Sequence, residues 1–213
     1  MISNPDRIYM AKIIMYNVAD PIIGFLQNFP LYENWYWEEA AIVKKALPIG
    51  IDNFEKMISQ GYYYIDKTLF IQELLDLKGE VNLFTRPRRF GKTLNLSMLR
   101  YFFEDTGDAK KTEENKSLFR GLKIMQQGEQ YTEYMGKYPV INLTLKSAKQ
   151  PTFALAYSKI KGVIADEFQR HQYILADEKL NEEDKKRFRE IAGRKAEYDE
   201  YSGALEFLSR CLS

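Results

Sequence analysis

The residues best placed to do chemistry stand together at Gly91-Lys92-Thr93, between a β-prone run, Val81 to Thr85, and a strongly helix-forming run, Leu94 to Glu104. At such a junction the free N–H groups of the first helical turn face an anion, and the helix dipole adds roughly half a positive charge. Lys92 can reach the outer phosphates of a bound nucleotide and stabilise charge developing on a transferred phosphoryl group, which makes it the candidate catalytic residue. Thr93 offers its hydroxyl to Mg2+, and Gly91 lets the main chain approach a phosphate with no Cβ in the way. The candidate nucleotide-binding set is Arg86, Pro87, Arg88, Arg89, Phe90, Gly91, Lys92, Thr93 and Leu94.

Set against the phosphate-loop pattern G-x-x-x-x-G-K-[ST], the second glycine, the lysine and the threonine are present, while Arg86 occupies the first glycine position. Pro87 deepens that departure: it restricts Arg86 to extended conformations and removes one N–H from the phosphate cradle. Charge offsets the loss. Arg86, Arg88, Arg89, Lys92 and Arg100 lie within 15 residues that contain no acid. One charge-assisted phosphate contact contributes about 1.5 to 3 kcal/mol, against about 1 kcal/mol for a neutral backbone bond. The same cluster supports a rival reading, a nucleic-acid-binding module in which Arg86 to Arg100 tracks backbone phosphates without sequence preference. A second rival is an interaction domain that keeps the fold without a ligand.

Those residues need elements to hold them. Asp52 or Asn53 can cap a short helix through Gln60, with Gly61 as its stop. Tyr62 to Ile65 reads as a strand, and Asp66 as the cap of a helix over 67–77. A polar connection over 105–116 leads into a short helix around Asn115 to Leu122. Tyr138 to Leu145 reads as a second buried strand. The remainder reads as helix: 152–175, 182–192 with Asn181 as cap, and 201–212. The run Gly162 to Glu167 mimics an apolar strand closing on two carboxylates, but its period is helical, so Asp166 and Glu167 are expected on a solvated helix face. His171 is expected at the surface and Cys211 in packing. The charged mixture over 177–200 is expected to be a solvated helical hairpin.

Composition excludes several classes. In 213 residues, 31 Lys and Arg balance 30 Asp and Glu, so no global field draws the chain to nucleic acid or anionic lipid. One cysteine and one histidine leave no intrachain disulfide and no zinc site of Cys and His ligands. The expected location is cytoplasmic. No run approaches the roughly 18 apolar residues of a membrane span.

The stretches LPIGIDNFEKM (Leu47 to Met57), GYYYIDKT (Gly61 to Thr68), LFTRPRRFGKTLNLSMLRYFFE (Leu83 to Glu104) and KYPVINLTLK (Lys137 to Lys146) resemble the bacterial AAA-ATPase-like proteins. Members of that family are often fused to a PD-(D/E)XK nuclease-like domain. The resemblance covers Leu47 to about Leu212. It implies an α/β fold, a partial P-loop NTPase-like three-layer αβα domain with parallel strands and a helix-rich C-terminal part. It also implies ATP and Mg2+ as ligands, with Gly91, Lys92 and Thr93 as the nucleotide-binding residues and Arg86 to Phe90 as the loop. Family members continue into a Walker B strand with acidic residues that this chain does not reach, so it reads as an N-terminal fragment with hydrolysis impaired or absent. Nucleic acid enters as a partner only through a downstream nuclease-like domain. Residues 44–213 read as the incomplete ATPase-like domain, and 1–43, which match nothing in the family, as a poorly ordered or non-native extension.

Overall fold

Short polar side chains open four of the helices. Asn53 accepts from Lys56 N–H at the start of α1 (Phe54–Ser59). Asp108 does the same for α4 (Ala109–Ser117), Thr152 for α6 (Phe153–Arg170) and Asn181 for α7 (Glu182–Ala192). Each bond satisfies a donor that the first helical turn would otherwise leave open. In this computed structural model, residues 45–85, 87 and 90–213 are described. The expected extension, 1–43, lies outside them. The other helices are α2 (Leu69–Leu77), α3 (Lys92–Phe103), α5 (Glu129–Thr132), α8 (Tyr198–Ser202) and α9 (Ala204–Cys211).

Two apolar clusters organise these helices. In the first, Phe54 of α1, Ile71 of α2 and Met98, Leu99, Phe102 and Phe103 of α3 close around Phe119 and Ile124. Fully burying one such side chain stabilises the fold by about 1.5 to 3 kcal/mol. All the buried residues of α3 fall at Met98 or beyond, so its C-terminal half is rooted while Lys92 and Thr93 stand at the rim. The second cluster joins α6, α7, α8 and α9 through Phe168, Phe188, Ile191, Tyr201, Phe207 and Leu208.

The expected parallel sheet is corrected by the structure. Among the described residues there is no strand; the only ladder contact is an isolated parallel bridge between Glu104 and Tyr138. The three-layer αβα arrangement is therefore not the architecture of the described chain, which is built from helices and extended segments. The physical reason is that β propensity sets conformation and not pairing. Residues 62–66 and 81–85 do alternate between exposed and half-buried positions, the signature of an extended chain with one covered face. The run 138–142 forms no ladder beyond that bridge, and helix side chains take its polar groups. Val140 C=O accepts from Arg170 and His171, and Asn142 N–H donates to the Glu167 carboxylate at 2.6 Å. Main-chain bonds from Gly136, Lys137 and Tyr138 N–H to the Phe102 and Phe103 carbonyls then clip the segment to the end of α3.

Smaller expectations also change. The connection over 105–116 contains α4, whose Thr112 is buried. The long helix from 152 stops at Arg170 and passes into a 3-10 turn, Gln172–Ala176. Gly203 divides the expected helix over 201–212 into α8 and α9. Helix α7 is no solvated hairpin arm, because Phe188, Ile191 and Ala192 are buried against α6.

Candidate phosphate-binding site

Gly91 is the hinge of the site. It adopts φ 75°, ψ 18°, the left-handed region that favours glycine, and it turns the chain directly into α3. Among the described residues a Cβ added there would meet nothing within 4 Å, so the requirement is conformational. The first intrahelical bond runs from Asn95 N–H to Gly91 C=O at 2.9 Å. The amides of Thr93 and Leu94 thus have no acceptor within the helix, and among the described residues no side chain caps this end. Nor does the first turn hold an acidic residue. Lys92 folds back over the loop, its Nζ donating to Pro87 C=O at 3.1 Å. That bond holds the ammonium on the same side as the uncapped amides.

A cavity of about 300 Å3 opens beside this turn, lined by Lys67, Phe70, Phe84, Phe90, Lys92, Asn95 and Leu96. Helical spacing explains three of these: positions 92, 95 and 96 share one face of α3. From the other wall come Lys67 and Phe70, at the start of α2. Phe84 stands edge-on to Phe70, ring centroids 4.6 Å apart. Phe90 is 58% exposed. The described lining thus combines two ammonium groups with three aromatic rings and contains no carboxylate.

The structure brings together Pro87, Phe90, Gly91, Lys92 and Thr93 of the expected set, with Thr93 exposed on the first turn of α3. Leu94 is half-buried and packs on the first apolar cluster, so only its amide is available to a ligand. Arg86, Arg88 and Arg89 lie outside the described residues. Arg100 does not join the loop: it sits two turns further along α3, where Nε donates to Glu104 at 3.0 Å and the guanidinium lies over the Tyr101 ring. The basic cluster is accordingly divided. Sequence reasoning missed Lys67, Phe70, Phe84, Asn95 and Leu96. For Asn95 and Leu96 the helical period from Lys92 was an available signal; for the α2 wall there was none.

A second charged cluster lies at the far end of α3. Glu104, 1% exposed, pairs with Arg100 and with Arg170 of α6. Arg170 also bonds Glu167, at 3.0 Å through Nε. Burial, reinforced by the nearby Arg100, pulls the Arg170 guanidinium down to about 9, so it stays protonated at neutral pH. His171 is also 1% exposed. Its Nε2–H donates to Val140 C=O and its Nδ1 pairs with Tyr173 OH, each at 3.2 Å. The expected solvated Glu167 and surface His171 are therefore both corrected. They fall three residues after Ile164 and Phe168 respectively, on the buried stripe of α6. Asp166 is exposed, as expected, and pairs with Arg194 at 2.8 Å.

Comparison with known proteins matches residues 48–202 to the family described as "Predicted AAA-ATPase". The chain belongs to that family. The matched span of the predicted AAA-ATPase family takes in α1 to α8, the first apolar cluster and the whole turn at Gly91, while α9, with Phe207 and Leu208 of the second cluster, lies beyond it. One curated protein, "Uncharacterized protein in vnfD 5'region" from Azotobacter chroococcum mcd 1, is 37% identical over 103 residues. The match covers 47% of this chain and 17% of that protein. No solved structure matches. Among the described residues no helix is long and apolar enough to cross a membrane, and no group of His, Cys, Asp and Glu is placed to hold a metal ion on its own.

Proposed function

We propose that this chain binds a nucleoside triphosphate, ATP being the ligand that its family implies, at the turn formed by Gly91, Lys92, Thr93 and Leu94. The observation that carries the reading is the uncapped start of α3. Helices α1, α4, α6 and α7 begin with a capping side chain and α2, α5, α8 and α9, like α3, do not; what sets α3 apart is the combination of a left-handed glycine, no acid in the first turn, and a lysine drawn over the opening. Such an end attracts an anion through its open amides and its dipole. Lys92 contributes a full charge at the position of the outer phosphates. Thr93 is the residue that would hold magnesium. Its hydroxyl suits a hard cation that binds chiefly through phosphates and keeps several waters. When bound, the ion would neutralise phosphate charge and orient the outer phosphate.

On this reading the chain is a binder with slow turnover, because the described lining offers no carboxylate to position an attacking water. The lone cysteine, which leaves no intrachain disulfide, favours a cytoplasmic setting. Activities and partners of any longer protein, including the nuclease-like domain that the family resemblance implies, are separate proposals from this site. Thermal melting with and without millimolar Mg-ATP tests the reading. Saturating ligand at about 100 times Kd adds about 2.7 kcal/mol to stability, a shift of several degrees. Lys92→Ala should remove it. A wild-type chain whose melting is indifferent to Mg-ATP overturns the assignment.

A further inference from the structure

The described lining of the cavity beside Gly91 carries two cations and no anion, and they come from different elements. Lys92 stands on the α3 wall and Lys67 on the α2 wall. Lys92 is engaged with the Pro87 carbonyl. The ammonium of Lys67 has no carboxylate, carbonyl or ring partner among the described residues, even though Asp66 precedes it directly. The reason is visible in the geometry. Both Asp66 oxygens are committed elsewhere: Oδ1 accepts from Thr68 N–H at 2.8 Å and from Thr68 Oγ1 at 2.7 Å, and Oδ2 accepts from Lys123 N–H at 2.8 Å. Those bonds fix the main chain on both sides of Lys67 while turning its nearest acid away from the cavity.

Two like charges facing one water-accessible void repel each other, and an anion lodged between them reverses the sign of the interaction for both. A volume of about 300 Å3 lies at the lower end of small-ligand sites. We infer that Lys67 is the second cation of the nucleotide site, closing on the outer phosphates from the α2 wall while Lys92 holds them from α3. This rests on the nucleotide-binding reading above and deepens it. Lys67 makes the site selective for the number of phosphates, a property that the loop alone does not confer. The requirement is chemical and would be met equally by the tail of a nucleotide or by free inorganic tripolyphosphate.

Titration calorimetry on the 213-residue chain with Mg-ATP, AMP and Mg-tripolyphosphate tests the assignment. Lys67→Ala should weaken Mg-ATP by about 10- to 100-fold, the range of one charge-assisted phosphate contact. AMP, with no outer phosphates, should change little, so the preference for ATP over AMP narrows. Lys67→Arg should restore most of the loss, because it returns the charge. Loss of tripolyphosphate in parallel with ATP identifies the phosphate chain as the group recognised. Unchanged affinity of Lys67→Ala for Mg-ATP overturns the inference, as does an equal loss for ATP and AMP. A wild-type chain that binds none of the three ligands overturns the nucleotide reading itself, an outcome distinct from a failure of Lys67 alone.

Discussion

The two ends of α3 hold cations in opposite circumstances. At its start, Lys92 and Lys67 face a cavity whose described lining has no carboxylate, and the helix terminus adds its own positive end. At its finish, Arg100 and Arg170 are met by Glu104 and Glu167, and the remaining polar groups are taken by Val140, Asn142 and Tyr173. One cluster is neutralised from within, and the described lining of the other supplies cations without a carboxylate. On the proposed reading, the difference separates charge that holds a fold together from charge that serves a ligand. A basic count along the sequence merges the two, since Arg100 belongs to the run of cations that begins at Arg86 but serves the opposite end.

The largest expected effect breaks this comparison at its closed end. Glu104→Ala removes one of the two buried carboxylates that Arg170 meets, leaving Glu167, and takes away the carboxylate that pairs with Arg100. Removing one member of a buried ion pair typically costs about 3 to 5 kcal/mol. For a chain of this size that corresponds to a fall in melting temperature of roughly 10 °C. Calorimetric melting checks the stability, and ligand titration below the new transition checks the separation of roles. Mg-ATP affinity of the folded fraction should remain within about twofold of wild type, less than the tenfold change that about 1.4 kcal/mol would produce. A large loss of affinity with little loss of stability would mean that the far cluster serves the ligand after all.

A smaller change probes the open end. Phe90 is more than half exposed, yet it lines the cavity beside Lys92. Phe90→Ala should leave the melting temperature almost unmoved, because exposed substitutions usually shift stability by no more than about 0.5 kcal/mol. If the ring stacks on the nucleotide base, affinity falls by about 1 to 3 kcal/mol, the range found for aromatic stacking on bases. Titration with ATP and tripolyphosphate sharpens the outcome: only the ligand that carries a base should feel the loss. Equal losses would assign Phe90 to the shape of the loop instead.

Legibility of these features in the sequence follows the range of the interaction that creates them. Caps such as Asn53 and Asn181 act over three residues, and they stand where the sequence places them. The turn at Gly91 is likewise local: a glycine that must be left-handed, followed by a lysine that folds back five residues to Pro87. Strands were misread because a ladder needs a neighbour, and the β-prone run from Tyr138 to Leu145 meets α6 side chains instead. Contacts spanning dozens of residues were out of reach. Lys67 joins Lys92 across one cavity, and Glu104 joins Arg170, through packing that no short period encodes. Glu167 and His171 are the intermediate case, because their place on the apolar stripe of α6 was readable and their charge argued wrongly for solvent.

The smallest expected effect concerns Asp66, which ties the α2 wall of the open end to the rest of the fold. Burial alone would raise its carboxyl pKa. Hydrogen bonds from Thr68 and from Lys123 N–H outweigh that and hold it below the ordinary aspartate value. A carboxyl whose pKa is lower folded than unfolded adds stability above the unfolded value, about 4, and that contribution disappears as pH falls through the folded value. Wild-type stability should therefore decline on the acid side partly through Asp66. Asp66→Asn should lower stability slightly at neutral pH, since one amide oxygen cannot replace both carboxylate oxygens, and it should flatten the decline below pH 4. Melting curves of the two proteins between about pH 3 and 7 check the sign, and they should converge toward the acid end. Curves that stay parallel throughout would show that this carboxyl titrates alike in the folded and unfolded chain. The hydrogen bonds at 66–68 would then hold Lys67 no more firmly than solvent does.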